Sequence, residues 1–133
     1  MPHPRLLVFD EDMPRRLSTE VGSRGRQATR VSELLLKGSG DPELIAALAE
    51  RRPDCILVTG NYWMPVEHEE AVAQSSIAIA TIDPRRADGY TLDAWRRDVA
   101  HRWVHTMQRQ RPGSVRRYAL SSTGAWSATI RVV

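Results

Sequence analysis

Three consecutive carboxylates, Asp10, Glu11 and Asp12, end the apolar run Leu6-Leu7-Val8-Phe9 and are followed by Met13-Pro14. A run of strand length that delivers acids to its end matters because open α/β sheets bind ligands beyond the carboxyl ends of their strands. Adjacent acids repel one another, and a chain tolerates that crowding most readily where a cation or a set of hydrogen-bond donors gathers. Asp10 and its neighbours are therefore a candidate metal site. A simpler account has Asp12 capping the next helix and Glu11 solvated. Asp41, in Asp41-Pro42-Glu43, and Asp83, in Asp83-Pro84, stand at comparable places, one opening a helical pattern and the other closing an apolar run. Magnesium and manganese take oxygen ligands, usually one or two carboxylates with waters and substrate phosphate. Asp10, Asp12, Asp41 and Asp83 are thus the candidate metal acids of a nuclease site, provided the fold brings them together. Taken singly, Asp41 reads equally as a helix cap and Asp83 as a turn residue.

Other residues offer weaker chemistry. His101 and His105 have the i, i+4 spacing of a shared metal on one helix face, but the flanking arginines disfavour a cation there and favour surface or RNA contact. His68 lies among Glu67, Glu69 and Glu70, where it balances charge at a helix start or acts as a general acid or base. The single cysteine, Cys55, sits inside an apolar run and reads as a small buried thiol. Ser121-Ser122 lacks a nucleophile-elbow setting, and no glycine-rich phosphate loop occurs.

The elements that must position these groups alternate. The patterns run strand, helix, strand, helix, strand, helix, strand, long helix, then a terminal apolar stretch, which predicts a mostly parallel sheet covered on both faces. Strands are expected over 5–9, 28–31, 55–59 and 76–82, and helices over 13–23, 41–51, 67–74 and 91–110. Residues 32–37 are ambiguous, Gly38-Ser39-Gly40 reads as a turn, and a terminal hairpin is expected around Ser122-Thr123-Gly124. In the long helix Leu92, Trp95, Val99, Trp103 and Met107 form a packing stripe. At 133 residues this is one domain.

Charge is unevenly divided. Residues 1–83 carry 9 basic and 13 acidic side chains, whereas 84–133 carry 10 basic and 3 acidic. All the basic residues but Lys37 are arginines, whose planar forks suit phosphate. An acidic portion holding a cation beside a basic portion gripping a polyanion is one reading, with Arg96, Arg97, Arg102, Arg109, Arg116 and Arg117 as the RNA-binding candidates. A solvated arginine-rich helix face is the other. Tyr62 and Trp63, after the 55–59 strand, suit either base stacking or packing. No run reaches the roughly 18 apolar residues that span a bilayer, and Met1-Pro2-His3-Pro4 opens no signal region, so a cytoplasmic location without membrane contact is expected.

Leu7-Val8-Phe9-Asp10-Glu11-Asp12-Met13-Pro14, then Asp41-Pro42-Glu43-Leu44-Ile45-Ala46-Ala47-Leu48-Ala49, then Ile56-Leu57-Val58-Thr59-Gly60-Asn61, resemble in order and spacing the PIN-like domains of VapC-type toxins. The resemblance covers Arg5 to Asp83, extends more loosely through Met64-Pro65-Val66-Glu67-His68, and is weakest over the arginine-rich end. It implies a three-layer α/β/α sandwich and a magnesium- or manganese-dependent endoribonuclease site. It also implies a toxin role neutralised by a cognate antitoxin, with a homodimer or a hetero-oligomer with that antitoxin as the assembled form. Asp10 resembles the family's first metal acid and Asp41 its second, and Asn61 stands where such domains usually carry an aspartate, so the implied catalytic set is Asp10, Asp41 and Asn61. An amide offers a neutral oxygen to a hard cation but removes one negative ligand and a possible base. A degenerate domain that binds RNA or an antitoxin without cutting is the alternative. A receiver-like domain also suits acids after the first strand, but the lysine expected after a late strand is missing.

Overall fold

The computed structural model describes residues 5–34, 41–120 and, as backbone, 126–130. Its core is a six-stranded sheet in the order β2-β1-β3-β4-β5-β6. These strands are β1 (Leu7–Phe9), β2 (Ala28–Arg30), β3 (Ile56–Thr59), β4 (Ala78–Ile82), β5 (Val115–Leu120) and β6 (Trp126–Ile130). The first five are parallel, in register Leu7↔Ala28, Leu7↔Ile56, Ile56↔Ala78 and Ile79↔Val115, and β6 joins β5 antiparallel. β1, β3 and β4 are buried along their whole length, as expected for parallel strands covered on both faces.

The helices are α1 (Leu17–Gly22), α2 (Asp41–Arg51), α3 (Met64–Glu67), α4 (Glu69–Gln74) and α5 (Leu92–Gln108), with a 3-10 turn over Val31–Leu34. Alternate residues of each strand feed two separate cores. Leu7, Phe9, Ile56, Val58, Ala80 and Ile82 meet Leu17 and Val21 of α1 and Trp95, Val99, Ala100, Val104 and Met107 of α5. Val8, Leu57 and Ile79 meet Leu44, Ile45 and Leu48 of α2, Met64 of α3 and Val72 of α4. The result is the three-layer α/β/α arrangement that the alternating patterns predict.

Several local outcomes differ from the sequence expectation. The expected 13–23 helix begins only at Leu17, because Met13 and Leu17 are held by turn bonds to the carbonyls of Asp10 and Pro14. The expected 67–74 helix is two helices broken at His68 (φ −124°, ψ 42°), with Pro65 starting the first of them early. In α5 the stripe is carried by Ala100 and Val104 as well, while Trp103 is only half-buried and donates its indole N–H to the Ala119 carbonyl at 3.0 Å. Thr91 caps α5, its hydroxyl accepting from the Ala94 amide at 3.1 Å. The expected glycine turn 38–40 and hairpin tip 122–124 lie outside the described residues.

Candidate functional site

In this strand order the direction in which successive strands are added reverses between β1 and β3, which run parallel. In doubly wound sheets the crevice beyond the carboxyl ends of the strands at such a switch point is the usual ligand site. Asp10 leaves β1 there, and Thr59-Gly60-Asn61 leaves β3 beside it.

The two chain ends are tied by short bonds. The Asp10 amide donates to the Val58 carbonyl at 2.9 Å, the Thr59 hydroxyl donates to Asp10 Oδ2 at 2.8 Å, and the Glu11 amide donates to Asp10 Oδ1 at 2.8 Å. Asp12 Oδ1 accepts from the Gly60 amide at 3.0 Å. Asn61 donates through Nδ2 to Asp41 Oδ2 at 2.9 Å, and His68 Nε2 stands 3.6 Å from the same oxygen. Asp41 opens α2, so the start of that helix closes the third side of the crevice. The structure thus gathers Asp10, Asp12, Asp41 and Asn61.

Electrostatics agree with the geometry. Burial first, then the charge of Asp12 and more weakly that of Asp41, push the half-buried Asp10 carboxyl above the ordinary aspartate range, although Thr59 and the Glu11 amide pull the other way. A carboxylate crowded by like charge gains most from a cation.

Asp83 has a different environment. It ends β4 and is buried, and burial alone would raise its pKa, but Arg85 more than reverses this and holds the carboxyl below its ordinary range. Arg85 Nε lies 3.0 and 3.1 Å from the two oxygens, and Nη2 lies 2.6 Å from Oδ2. Both Asp83 oxygens therefore already have a cationic partner, while its backbone carbonyl accepts the Trp95 indole N–H at 2.6 Å.

The arginines separate as well. Arg96 reaches from α5 to donate to the Asp12 carbonyl at 2.8 Å, and its guanidinium lies so close over Gly60 that a Cβ at that position would collide with it. Arg97 is held by Glu20, with Nη2 to Oε2 at 2.9 Å, and His101 Nε2 lies 3.4 Å from the other oxygen of Glu20. That pairing occupies Arg97 and accounts for His101. Arg102 and Arg109 are exposed farther along α5, and at 1.5 Å per residue Arg109 is about 20 Å along the axis from Arg96. Arg116 and Arg117 alternate across β5, and only Arg117 faces the loop after β3, its Cζ 4.2 Å from the centre of the Tyr62 ring. Arg96 and Arg117 flank the crevice, whereas Arg109 belongs to the opposite end of the sheet.

Oxygen donors alone suit a hard cation. Among the described residues no three His, Cys, Asp or Glu side chains are grouped closely enough to hold a metal by themselves. The oxygen-only chemistry of Asp10, Asp12 and Asp41 is of the kind magnesium and manganese accept, which as a rule need only one or two carboxylates beside water and phosphate. Two contacts of the site escaped the sequence reading, which took His68 only as a charge-balancing or acid–base group at a helix start. Thr59, whose hydroxyl also accepts from the Asn61 amide at 3.1 Å, is signalled only by a polar residue closing an apolar run. His68 reaches Asp41 because the helix breaks at that residue. Cys55 is buried, and burial pushes its thiol up to about 12. No described helix is long and apolar enough to cross a membrane. Comparison with family models, curated proteins and solved structures gave no match.

Proposed function

We propose that this chain is a metal-dependent endoribonuclease of the PIN-like kind, acting as the toxin of a toxin–antitoxin pair in the cytoplasm. The observation that carries the reading is the placement of Asp10, Asp12 and Asp41 around the loops at the β1/β3 switch point, with the Asp10 carboxyl raised first by burial and then by the charges of Asp12 and Asp41. Asp10, Asp12 and Asp41 would hold a magnesium or manganese ion there, which would supply an acidified water and charge neutralisation at the phosphate. The chain's own residues do the rest. Thr59 fixes the Asp10 carboxylate, Asn61 and His68 steady Asp41, and Arg96 supplies a cation beside the acids to receive the RNA phosphate. Water then adds across the P–O bond, leaving one RNA end with the phosphate and the other with a hydroxyl. The cognate antitoxin, and an assembly with it or as a homodimer, follow from the same family reading.

One contact favours a second reading. The Asn61 amide nitrogen, a donor, faces Asp41, so the amide satisfies by hydrogen bonding a carboxylate oxygen that a cation would otherwise claim. A domain that binds RNA or an antitoxin without cutting is consistent with this. Incubating a mixed RNA pool with the purified chain in magnesium, manganese or EDTA separates the two, with Asp10→Asn and Asn61→Asp run alongside. Metal-dependent cutting abolished by Asp10→Asn supports the nuclease. Cutting by Asn61→Asp alone supports the degenerate domain, and an inert set of proteins overturns the nuclease reading.

A further inference from the structure

The residues immediately after Asn61 form a surface that the acid chemistry does not use. Trp63 is 58% exposed and Val66 56%, and these are the large apolar side chains that the described structure leaves open. The backbone that carries Trp63 is pinned by hydrogen bonds of its own. Its carbonyl accepts the amides of Val66 at 3.0 Å and Glu67 at 2.9 Å, and Asn61 accepts the Met64 amide at 3.1 Å, so the start of α3 fixes the backbone that carries it. Tyr62 meets Trp63 edge-on, with ring centroids 5.0 Å apart and planes at 78°. Arg117 lies over Tyr62 at 4.2 Å and 5.8 Å from the Trp63 ring. Arg85, from the loop after β4 and paired with Asp83, lies within electrostatic reach of Tyr62.

An exposed indole braced by a second aromatic ring and attended by two guanidinium groups has the components of a single-strand platform: a π-face for a base and cations for its phosphates. We infer that Tyr62, Trp63, Arg85 and Arg117 form a stacking platform that seats an unpaired nucleobase of single-stranded nucleic acid, one residue beyond Asn61 of the acidic crevice. This rests on the proposed reading in taking nucleic acid as the ligand, but it does not require cutting. It narrows the substrate to unpaired segments, because a base within a duplex cannot offer its face to an exposed indole. Stacking alone does not distinguish ribose from deoxyribose, so RNA and DNA single strands share the chemistry.

The test is fluorescence anisotropy of labelled ten-nucleotide oligomers with the full chain in EDTA, so that no cutting intervenes. Arms are single-stranded RNA, the same RNA annealed to its complement, and single-stranded DNA of the same sequence. The parent is expected to prefer either single strand over the duplex. Trp63→Ala is expected to weaken single-strand binding about tenfold or more, and Trp63→Phe to restore most of it. RNA bound more tightly than DNA places a ribose contact beside the platform, and equal binding leaves stacking as the whole interaction; either is consistent with the inference. Circular dichroism confirms that the exposed substitution leaves the fold intact. Single-strand affinity unchanged in Trp63→Ala, or duplex bound as tightly as single strand, overturns the platform. Unchanged RNA affinity with altered sedimentation of Trp63→Ala identifies the patch as a protein interface and also overturns it. A parent chain that binds single strands through Trp63 in EDTA but never cuts them in magnesium or manganese refutes the nuclease and spares the platform.

Discussion

Asp10 and Asp83 are the same residue type at the carboxyl ends of two strands in one sheet, yet their surroundings have opposite electrical character. Asp83 is closed off: Arg85 meets both its oxygens and holds its pKa down. Among the described residues Asp10 has only neutral donors, Thr59 and a backbone amide, with Asp12 and Asp41 nearby to push its pKa up beyond what burial does. Burial acts on both in the same direction, so the neighbouring charges decide the difference. A carboxylate with a resident cation is structural by default, whereas crowded carboxylates lacking one are poised to take a cation from solution. Under the proposed reading, the contrast favours the β1/β3 switch point over the β4 end as the place for a cation.

The largest effect that would break this contrast is on catalysis. Asp10→Asn is expected to lower metal-dependent RNA cleavage by about a hundredfold or more, the scale on which losing a metal ligand acts, while Asp83→Asn lowers it severalfold at most; equal losses in gel-based cleavage rates would erase the distinction. Next comes Asn61→Asp. A carboxylate in place of an amide that now donates to Asp41 is expected to tighten manganese binding about tenfold, a ligand-scale effect, measured by calorimetric titration.

Stability should respond with opposite signs. Removing the crowded charge with Asp10→Asn is expected to stabilise the fold by up to about 1 kcal/mol, and Asp83→Asn to cost about 1 kcal/mol once solvent screening of Arg85 is allowed for. The pH dependence follows the same logic. Asp10, raised in the folded state, favours folding at acid pH and loses that contribution as pH rises through its folded pKa. Asp83, lowered, stabilises above the ordinary carboxylate range and loses that contribution as pH falls through its folded pKa. Urea midpoints between pH 3 and 7 should therefore show the gain from Asp10→Asn growing with pH, and the cost of Asp83→Asn shrinking toward acid. The smallest effect concerns Gly60, where an alanine must displace Arg96; Gly60→Ala is expected to raise the KM for RNA about threefold or less, the scale of one phosphate-positioning contact, with little change in kcat.

The chain's periodicities made much of the frame legible. Asp41-Pro42 marked the start of α2, Pro53 the stop after its last residue Arg51, and the uninterrupted run 55–59 marked a central strand. Errors arose where short-range bonds override pattern. Turn bonds from Asp10 and Pro14 delay α1, and the backbone at His68 splits one expected helix into α3 and α4. Candidate acids could be named from their place after apolar runs, but their partners could not. Arg97 is taken by Glu20, 77 residues distant, and Arg96 by the Asp12 carbonyl, 84 residues distant. Such pairings depend on which helix crosses which strand end, information that local spacing does not contain. The Arg85 clamp on Asp83 spans only two residues, and an arginine just beyond Asp83-Pro84 was a legible sign that this acid already had its cation.

The central claim is that the Asp10 crevice takes a divalent cation. Manganese titration of the purified chain followed by electron paramagnetic resonance tests it most directly. One ion bound by the parent and by Asp83→Asn, but lost in Asp10→Asn, is the predicted result. Binding that is unchanged by Asp10→Asn, or lost in Asp83→Asn instead, contradicts the account.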